Sequence, residues 1–296
     1  VYMRVLSAPE SDTLYALNGQ TGSVLWRQPG GFALTLTPYD HHLYVIFSAV
    51  QGGAPGRLVD YDATTGALRW HYALPGEAFT SSLVANGAIY LSGVQAMYAL
   101  DVQNGVVRWH SAYSPNTFNI GGSLIADGNT VLAATPYGLR QYDGVTGAIR
   151  WVKNVQINDP GAVVAPNGLI YISTAIAPGG SPPQQIVAID GTNGNQVWSF
   201  PYQSGLSPAG VSNGALFATT GSAPIALLAL NLRTGDMLWQ HNFDASVGQI
   251  TDVQFYGSSI FCSTSADQVS AFSTTDGATE WSFTASGSNI NDLLVG

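Results

Sequence analysis

Three aspartates stand out among the residues of this chain that could do chemistry. Asp159, Asp252 and Asp292 interrupt strand-like segments that otherwise carry small or apolar residues. Carboxylates gathered at the ends of strands could attract a cation or a hydroxyl-rich ligand. A solvated polar surface is the alternative explanation. Tyr113 and Phe118 lie in a lengthened loop and could add aromatic contacts, so these five residues are the candidate ligand-binding residues.

Other kinds of site have little support in the sequence. Cys262 is the one cysteine, which excludes an internal disulfide and a multi-cysteine metal site, and its apolar surroundings predict a buried thiol. The histidines do not have the spacing of metal ligands. We find no nucleophile elbow, no phosphate-binding glycine loop and no placed pair of carboxylates. The sequence therefore predicts no catalytic residue, no metal site and no bound cofactor.

Composition limits the possible partners. The 296 residues include 18 acidic and 9 basic side chains, a formal net charge of −9. A chain without a basic stripe cannot neutralise phosphates, so a nucleic-acid partner is excluded. A single lysine and many Thr, Asn and Gly residues favour an exported protein. Glycine and proline break every apolar stretch, and the segment contains no predicted membrane span.

The elements that must position these residues are given by a repeat. Each of the seven tryptophans follows a glycine by four residues, at intervals of 39 to 47 residues. The tryptophans are Trp26, Trp70, Trp109, Trp151, Trp198, Trp239 and Trp281. The glycines are Gly22, Gly66, Gly105, Gly147, Gly194, Gly235 and Gly277. A period near 40 with strand-like segments is typical of a β-propeller with one four-stranded blade per repeat. We expect the rings to pack between blades and the glycines to form turns.

The repeat from Phe79 to His110 shows how one blade forms. Asn86-Gly87 joins two short apolar runs, which is a strong signal for a β-hairpin. Two further turns, the last at Asn104-Gly105, separate the third and fourth strands. Each repeat therefore predicts four antiparallel strands. In every repeat, the position eight residues before the tryptophan carries Asp, Asn or Ser, which can accept hydrogen bonds from the following turn.

The two ends of the chain predict how the propeller closes. Val1–Leu6 matches the second strand of a blade, so the first blade lacks its innermost strand. Ile290–Val295 matches an innermost strand and would complete that blade. The fold class predicted is therefore all-β, a single seven-bladed propeller domain over residues 1–296, closed by the C-terminal strand in the N-terminal blade. We expect a monomer.

Ala99–Trp109 resembles the tryptophan-docking motif of the pyrroloquinoline-quinone-like (PQQ-like) propeller repeats, and Ala16–Trp26, Ala188–Trp198 and Ala229–Trp239 fit it equally well. That family includes quinoprotein dehydrogenases, an outer-membrane assembly lipoprotein and bacterial sensor or surface modules. The dehydrogenases are longer, and many carry adjacent cysteines beside the quinone and a Glu that binds Ca²⁺. Neither feature has a match here, so the resemblance implies a non-enzymatic member without PQQ.

The leading hypothesis is a non-catalytic, extracytoplasmic binding module for a protein, peptide or glycan. Its contact surface would be the face that carries three long loops, Ala49–Arg57, Tyr113–Asn119 and Ala175–Gln185. The alternative is a quinone-dependent or lyase-type enzyme with its site at the mouth of the propeller channel. A third possibility is a purely structural part of a cell-surface protein.

Overall fold

A computed structural model describes residues 1–5, 13–29, 33–47, 56–73, 78–113, 123–175, 184–203 and 205–285, without the side chains of residues 34 and 158–161. Within these ranges the chain forms seven antiparallel sheets and a single helical turn. Six sheets have four strands and the first has three. The all-β class and the seven predicted sheets are confirmed. The chain divides into two compact units, residues 1–153 and 154–296.

The first unit contains sheets 1 to 4, numbered in chain order. Sheet 1 consists of β1 (Tyr2–Val5), β2 (Thr13–Leu17) and β3 (Val24–Pro29). Sheet 2 consists of β4 (Ala33–Tyr39), β5 (His42–Phe47), β6 (Arg57–Asp62) and β7 (Leu68–Ala73). Sheet 3 consists of β8 (Phe79–Ala85), β9 (Ala88–Gly93), β10 (Ala96–Asp101) and β11 (Val107–Ala112). Sheet 4 consists of β12 (Ser123–Asp127), β13 (Thr130–Thr135), β14 (Gly138–Asp143) and β15 (Ile149–Asn154).

The second unit contains sheets 5 to 7. Sheet 5 consists of β16 (Ile157–Val164), β17 (Leu169–Ala175), β18 (Gln184–Asp190) and β19 (Gln196–Tyr202). Sheet 6 consists of β20 (Leu206–Ser212), β21 (Ala215–Thr220), β22 (Ala226–Asn231) and β23 (Met237–Asn242). A 3₁₀ turn, Ala245–Val247, precedes sheet 7, which consists of β24 (Ile250–Tyr256), β25 (Ser259–Thr264), β26 (Gln268–Ser273) and β27 (Thr279–Thr284).

Strands within each sheet follow chain order, as tight turns require. Asn86 and Gly87 both have positive φ, 53° and 67°, which gives the β8–β9 hairpin the twist that its strands need. The predicted turn between third and fourth strands is also present. In sheet 4, an Asp143 side-chain oxygen accepts the backbone N–H groups of Val145 and Thr146 at 3.0 and 2.9 Å. Equivalent bonds hold the turns that follow Asn18, Asp62, Asp101, Asp190, Asn231 and Ser273.

Tryptophan rings connect each sheet to the next one within a unit. The indole N–H of Trp109, on β11, donates to the backbone oxygen of Gly144 in sheet 4 at 2.9 Å. The side chain is 8% exposed, and its ring lies against Gly147. The same ring-to-glycine contact joins Trp26 to Gly66, Trp70 to Gly105, Trp198 to Gly235 and Trp239 to Gly277. Trp281 differs, because it is 47% exposed and its ring lies beside Phe261.

Tyrosine hydroxyls strengthen three of these junctions. The hydroxyl of Tyr90 donates to the Gly144 oxygen that also accepts the indole N–H of Trp109. Tyr2 and Trp26 share the oxygen of Ala63 in the same way, and Tyr171 and Trp198 share that of Leu232. A carbonyl oxygen has two lone pairs, so it can accept both donors. Two buried polar groups are therefore satisfied at each of these junctions, and the register between adjacent sheets is set.

Two expectations concern the closure of the propeller and the extent of the domain. The strand expected to complete sheet 1, Ile290–Val295, lies outside the described residues. Closure by that strand and the interpretation of residues 1–296 as a single domain therefore stay predictions.

Candidate functional site

One register position in the first strand carries a hydroxyl or a carboxylate in all six four-stranded sheets. In sheet 3 this position is Ser81, which pairs with Ser92 of β9. We call the six equivalent residues the polar position. In the first unit it is Thr35, Ser81 and Ser123, and in the second unit Asp159, Ser207 and Asp252. Each four-stranded sheet therefore has one polar residue at the same register position of its first strand.

A strand irregularity directly precedes this position in four of the six sheets. The register shifts between Ala33 and Thr35, Phe79 and Ser81, Ile157 and Asp159, and Ile250 and Asp252. A β-bulge bends the strand and redirects the side chains that follow it. The bulge explains why a polar residue follows so closely on the apolar one that begins each strand. Phe79 and Ile157, for example, are buried.

The candidate aspartates are placed unequally by the structure. Asp252 is partly buried; one of its carboxylate oxygens accepts the backbone N–H of Val253 at 2.8 Å, and both accept the amide of Gln254 at 3.2 Å. Asp159, in β16, lies opposite Ser173 of β17, and the side chain of Asp159 is outside the described part of the chain. Asp292 is also outside the described residues. Its sequence context, Ile290-Asn291-Asp292, repeats Ile157-Asn158-Asp159.

Tyr113 lies beside the polar position of sheet 3. It follows β11, and its hydroxyl is 3.5 Å from the Oγ of Ser92, the strand partner of Ser81. The guanidinium of Arg140 lies over its ring, 5.2 Å from the centroid, in cation–π geometry. The structure therefore brings Tyr113 near Ser81, whereas Phe118 lies outside the described residues. Sequence reasoning missed Arg140, although its place in β14 follows from the repeat.

Two hydroxyls of the polar position in the first unit have no hydrogen-bond partner. The Oγ1 of Thr35 and the Oγ of Ser81 are buried from solvent and unpaired. Buried hydroxyls in proteins nearly always have a partner, which can be a ligand or a bound water. In the first unit these uncharged hydroxyls can donate a hydrogen bond to a polar ligand or accept one from it. In the second unit, the carboxylates of the polar position can only accept while they are ionised.

His42 and Cys262 lie in the core, away from the polar position. The Nδ1 of His42 is 2.8 Å from an Asp60 carboxylate oxygen, and both side chains are buried. Cys262 is fully buried, and burial raises the pKa of its thiol to about 12, so it stays a thiol at neutral pH. No cluster of three or more His, Cys, Asp or Glu side chains suited to a metal ion occurs within the described ranges. Nor does any described helix have the length and apolar character needed to cross a bilayer.

Comparison with solved structures places this fold. BamB from Moraxella catarrhalis is similar with a TM-score of 0.67 and 19% identity, over 97% of this chain and 92% of that chain. The computationally designed Ika8 protein gives a TM-score of 0.71 and 13% identity, over 100% and 87%. A quinohemoprotein alcohol dehydrogenase from Pseudomonas putida gives a TM-score of 0.66 and 14% identity, over 91% of this chain and 60% of that chain. These likenesses show the fold, which confirms the propeller class.

Sequence comparison gives the family. A search of curated proteins gives no match. A family model described as outer membrane protein assembly factor BamB matches residues 42–173 and 182–295, which include most of the seven repeats. The resemblance to PQQ-like propeller repeats is thereby confirmed. This chain belongs to the family of the outer membrane protein assembly factor BamB.

Proposed function

We propose that this chain is a non-catalytic propeller that works outside the cytoplasm and serves as a rigid scaffold for a protein partner. The single observation that carries the proposal is the family match over residues 42–173 and 182–295, since that family is described as an assembly factor. Alcohol dehydrogenases can share the same fold, so the fold alone does not select between binding and catalysis.

The potentially reactive side chains have structural roles, which supports a scaffold function. The Asp, Asn or Ser residue that recurs once per repeat holds a turn, as Asp143 does with Val145 and Thr146. Hydrogen bonds from Arg150 and Thr146 hold the pKa of Asp143 well below its usual range, so it stays ionised and is a poor general acid or base. Cys262 remains protonated in the core. These groups serve the sheets that carry them.

The contact surface that we propose is the side of the sheets where second strands end and third strands begin. In sheet 4 the turn between β13 and β14 presents Tyr137, which is 58% exposed. Arg140 is held over Tyr113 nearby, so its guanidinium is fixed in place. An aromatic ring and an arginine are the residue types enriched in the energetically important part of protein interfaces. We propose that a protein or peptide binds here. A glycan would instead bind the hydroxyls of the polar position.

A matched pair of positions in sheet 4 tests the proposed surface. Tyr137 and Val145 are both exposed but lie at opposite ends of β14. A photo-crosslinking amino acid is placed at either position, and the protein is irradiated in a bacterial envelope fraction. We expect one defined adduct from position 137 that excess purified protein competes away and that Arg140→Ala weakens, and no such adduct from position 145.

Two results would overturn the proposal. Equal adducts from both positions, or none from either, would show that this face is not the contact surface. A calcium-dependent thermal shift on addition of pyrroloquinoline quinone would favour the enzyme instead. A shift of that kind would mean that the quinone is bound by the folded state.

A further inference from the structure

We infer that sheet 2 contains a buried proton-binding pair, His42 and Asp60, and that protonation of this pair at acidic pH stabilises the first unit. The Nδ1 of His42 and the Oδ2 of Asp60 are 2.8 Å apart. His42 is 3% exposed and Asp60 is 0% exposed. The second carboxylate oxygen of Asp60 is buried and has no hydrogen-bond partner.

The pair is an addition to the repeat and is not required by it. Asp60 occupies the position ten residues before the tryptophan, where the other sheets carry Ala16, Ala99, Gln141, Ala188, Ala229 and Ala271. In sheet 3, the equivalents of His42 and Asp60 are Ala88 and Ala99, and the sheet forms the same four strands. The fold of a sheet therefore does not need the His42–Asp60 pair.

The position of Arg69 determines which ring nitrogen of His42 carries the proton. Its Nη1 lies 3.4 Å from the Nε2 of His42, and its Nη2 bonds to Asp62 at 2.5 Å. A guanidinium has donors only, so the Nε2 of His42 must be the acceptor. The proton of a neutral imidazole is then on Nδ1, donated to Asp60. In this state the His42–Asp60 pair holds one net negative charge in the core.

The other polar groups around the pair do not neutralise that charge. Tyr44 stacks on the His42 ring at 5.4 Å, and Tyr39 is the partner of His42 in β4. Asp62, in β6, lies opposite His42, and the charge of Asp101 in sheet 3 raises the pKa of Tyr44. Tyrosine and aspartate side chains cannot carry a positive charge, and the guanidinium of Arg69 is already bound by Asp62. A proton added to the pair therefore removes a buried net charge, which is favourable.

The direction of the pH dependence follows from this burial. Burial raises the pKa of Asp60 above its usual value, and it outweighs the lowering effects of His42 and Arg69. The folded state then binds the proton more tightly than the unfolded state. The stability from this group is fully present below the unfolded pKa and is lost as the pH rises through the folded pKa.

The pair lies where sheet 2 meets both of its neighbours in the first unit. Tyr44, stacked on His42, donates to the backbone oxygen of Val102 in sheet 3 at 3.0 Å. On the other side, the backbone oxygen of His41 accepts the N–H of Ala63. The Ala63 oxygen accepts the indole N–H of Trp26 from sheet 1. A change at His42 therefore reaches the contacts of sheet 2 with sheets 1 and 3.

Replacing the pair by the residues that sheet 3 uses tests the inference. The variant His42→Ala/Asp60→Ala is compared with the wild type by thermal unfolding between pH 3 and pH 8, a range that begins below the unfolded carboxyl pKa of about 3.9. We expect the Tm of the wild type, relative to the variant, to rise as the pH falls, by about 2–4 °C for each unit of pKa elevation. A Tm difference that is constant with pH, or that falls in acid, would overturn the inference.

Asp143→Asn is the control with the opposite sign, because Asp143 is bound by Arg150 and has no histidine partner among the described residues. The pKa of Asp143 is depressed, so its contribution to stability is present above the unfolded carboxyl pKa of about 3.9 and is lost below it. The Tm of the wild type relative to Asp143→Asn should therefore fall, and not rise, at the acid end of the range. A direct measurement covers the case in which the double variant does not fold. In carboxyl-carbon NMR of the folded wild type, Asp60 should titrate at a higher pH than Asp62 and Asp101. Titration of Asp60 at or below those two would also overturn the inference.

Discussion

The ring of Trp109 lies so close to Gly147 that a Cβ atom on the glycine would come within 2.5 Å of it. Gly147 has a φ of 73°, in the left-handed region that glycine adopts most easily. The turn of sheet 4 therefore needs glycine for two separate reasons, its backbone conformation and the ring from sheet 3. The same pair of reasons applies to Gly66, Gly105, Gly235 and Gly277. This contact explains why glycine and tryptophan recur together in the sequence, although each of these five rings meets the glycine of the following repeat.

The first prediction separates these two reasons by mutation. Gly147→Ala should destabilise the protein by about 3 kcal/mol, from left-handed strain plus overpacking against the ring. Gly22 has a φ of 69°, and a Cβ atom added to it would meet no atom within 4 Å, so Gly22→Ala should cost only about 1 kcal/mol. Urea unfolding of both variants measures the difference. Equal losses would mean that the ring contact adds nothing.

The second prediction concerns the tryptophans. Trp109→Ala removes a buried ring and leaves the Gly144 oxygen with Tyr90 alone, so we expect a loss of about 3–5 kcal/mol. Trp281→Ala should cost less than half of that, because nearly half of this side chain is already exposed. Denaturant midpoints of the two variants provide the test. A loss for Trp281→Ala as large as that for Trp109→Ala would contradict it.

A third prediction concerns pH and sheet 6. Burial lowers the pKa of His241, whose ring lies 4.6 Å from that of Phe272 and 5.1 Å from that of Phe243. The unfolded state then binds the proton more tightly, so the contribution of this group to stability is lost as the pH falls below about 6.5. Replacing His241 by Phe should reduce this acid loss. Parallel Tm profiles of the wild type and His241→Phe between pH 5 and pH 8 would refute the prediction.

The fourth prediction is chemical. Since burial raises the pKa of Cys262 to about 12, the native protein at pH 8 should not react with a thiol reagent such as dithionitrobenzoate. After unfolding in guanidinium, one thiol per chain should react. Cys262→Ser serves as the blank in both conditions. Rapid reaction in the native state would show that β25 opens or that the thiol is accessible.

The Asn-Gly and Thr-Gly turns explain how much of the fold could be predicted from sequence. Asn86-Gly87 and Thr146-Gly147 allow only a few backbone conformations, and those conformations produce hairpins whatever surrounds them. The four strands of the repeat from Phe79 and the turns between them were therefore predicted from the sequence. The spacing of the tryptophans then gave seven sheets, because each local signal occurs once per sheet.

The candidate site was harder to predict. Asp252 stands out in the sequence as an exception to a small or apolar pattern, and Tyr113 by its place in a lengthened loop. The structure shows instead that the polar position belongs to all six four-stranded sheets. Ser81 and Thr35 look ordinary in the sequence, because serine and threonine are common in strands of this protein. The strand register and a bulge directly before Ser81 and Thr35 decide where these side chains lie, and neither feature can be predicted from the residue type.

The sequence by itself determined the repeat, the strands, the turns and the family, since each of these depends on neighbours within a few residues or on a fixed period. The tertiary structure alone decided which groups meet across strands and sheets. Asp60 shows the difference: in the sequence it is an ordinary acidic residue near a turn, and in the fold it is buried against His42, eighteen residues earlier. The energy of a charge depends on its burial and its partners, and both are set by packing between distant parts of the chain.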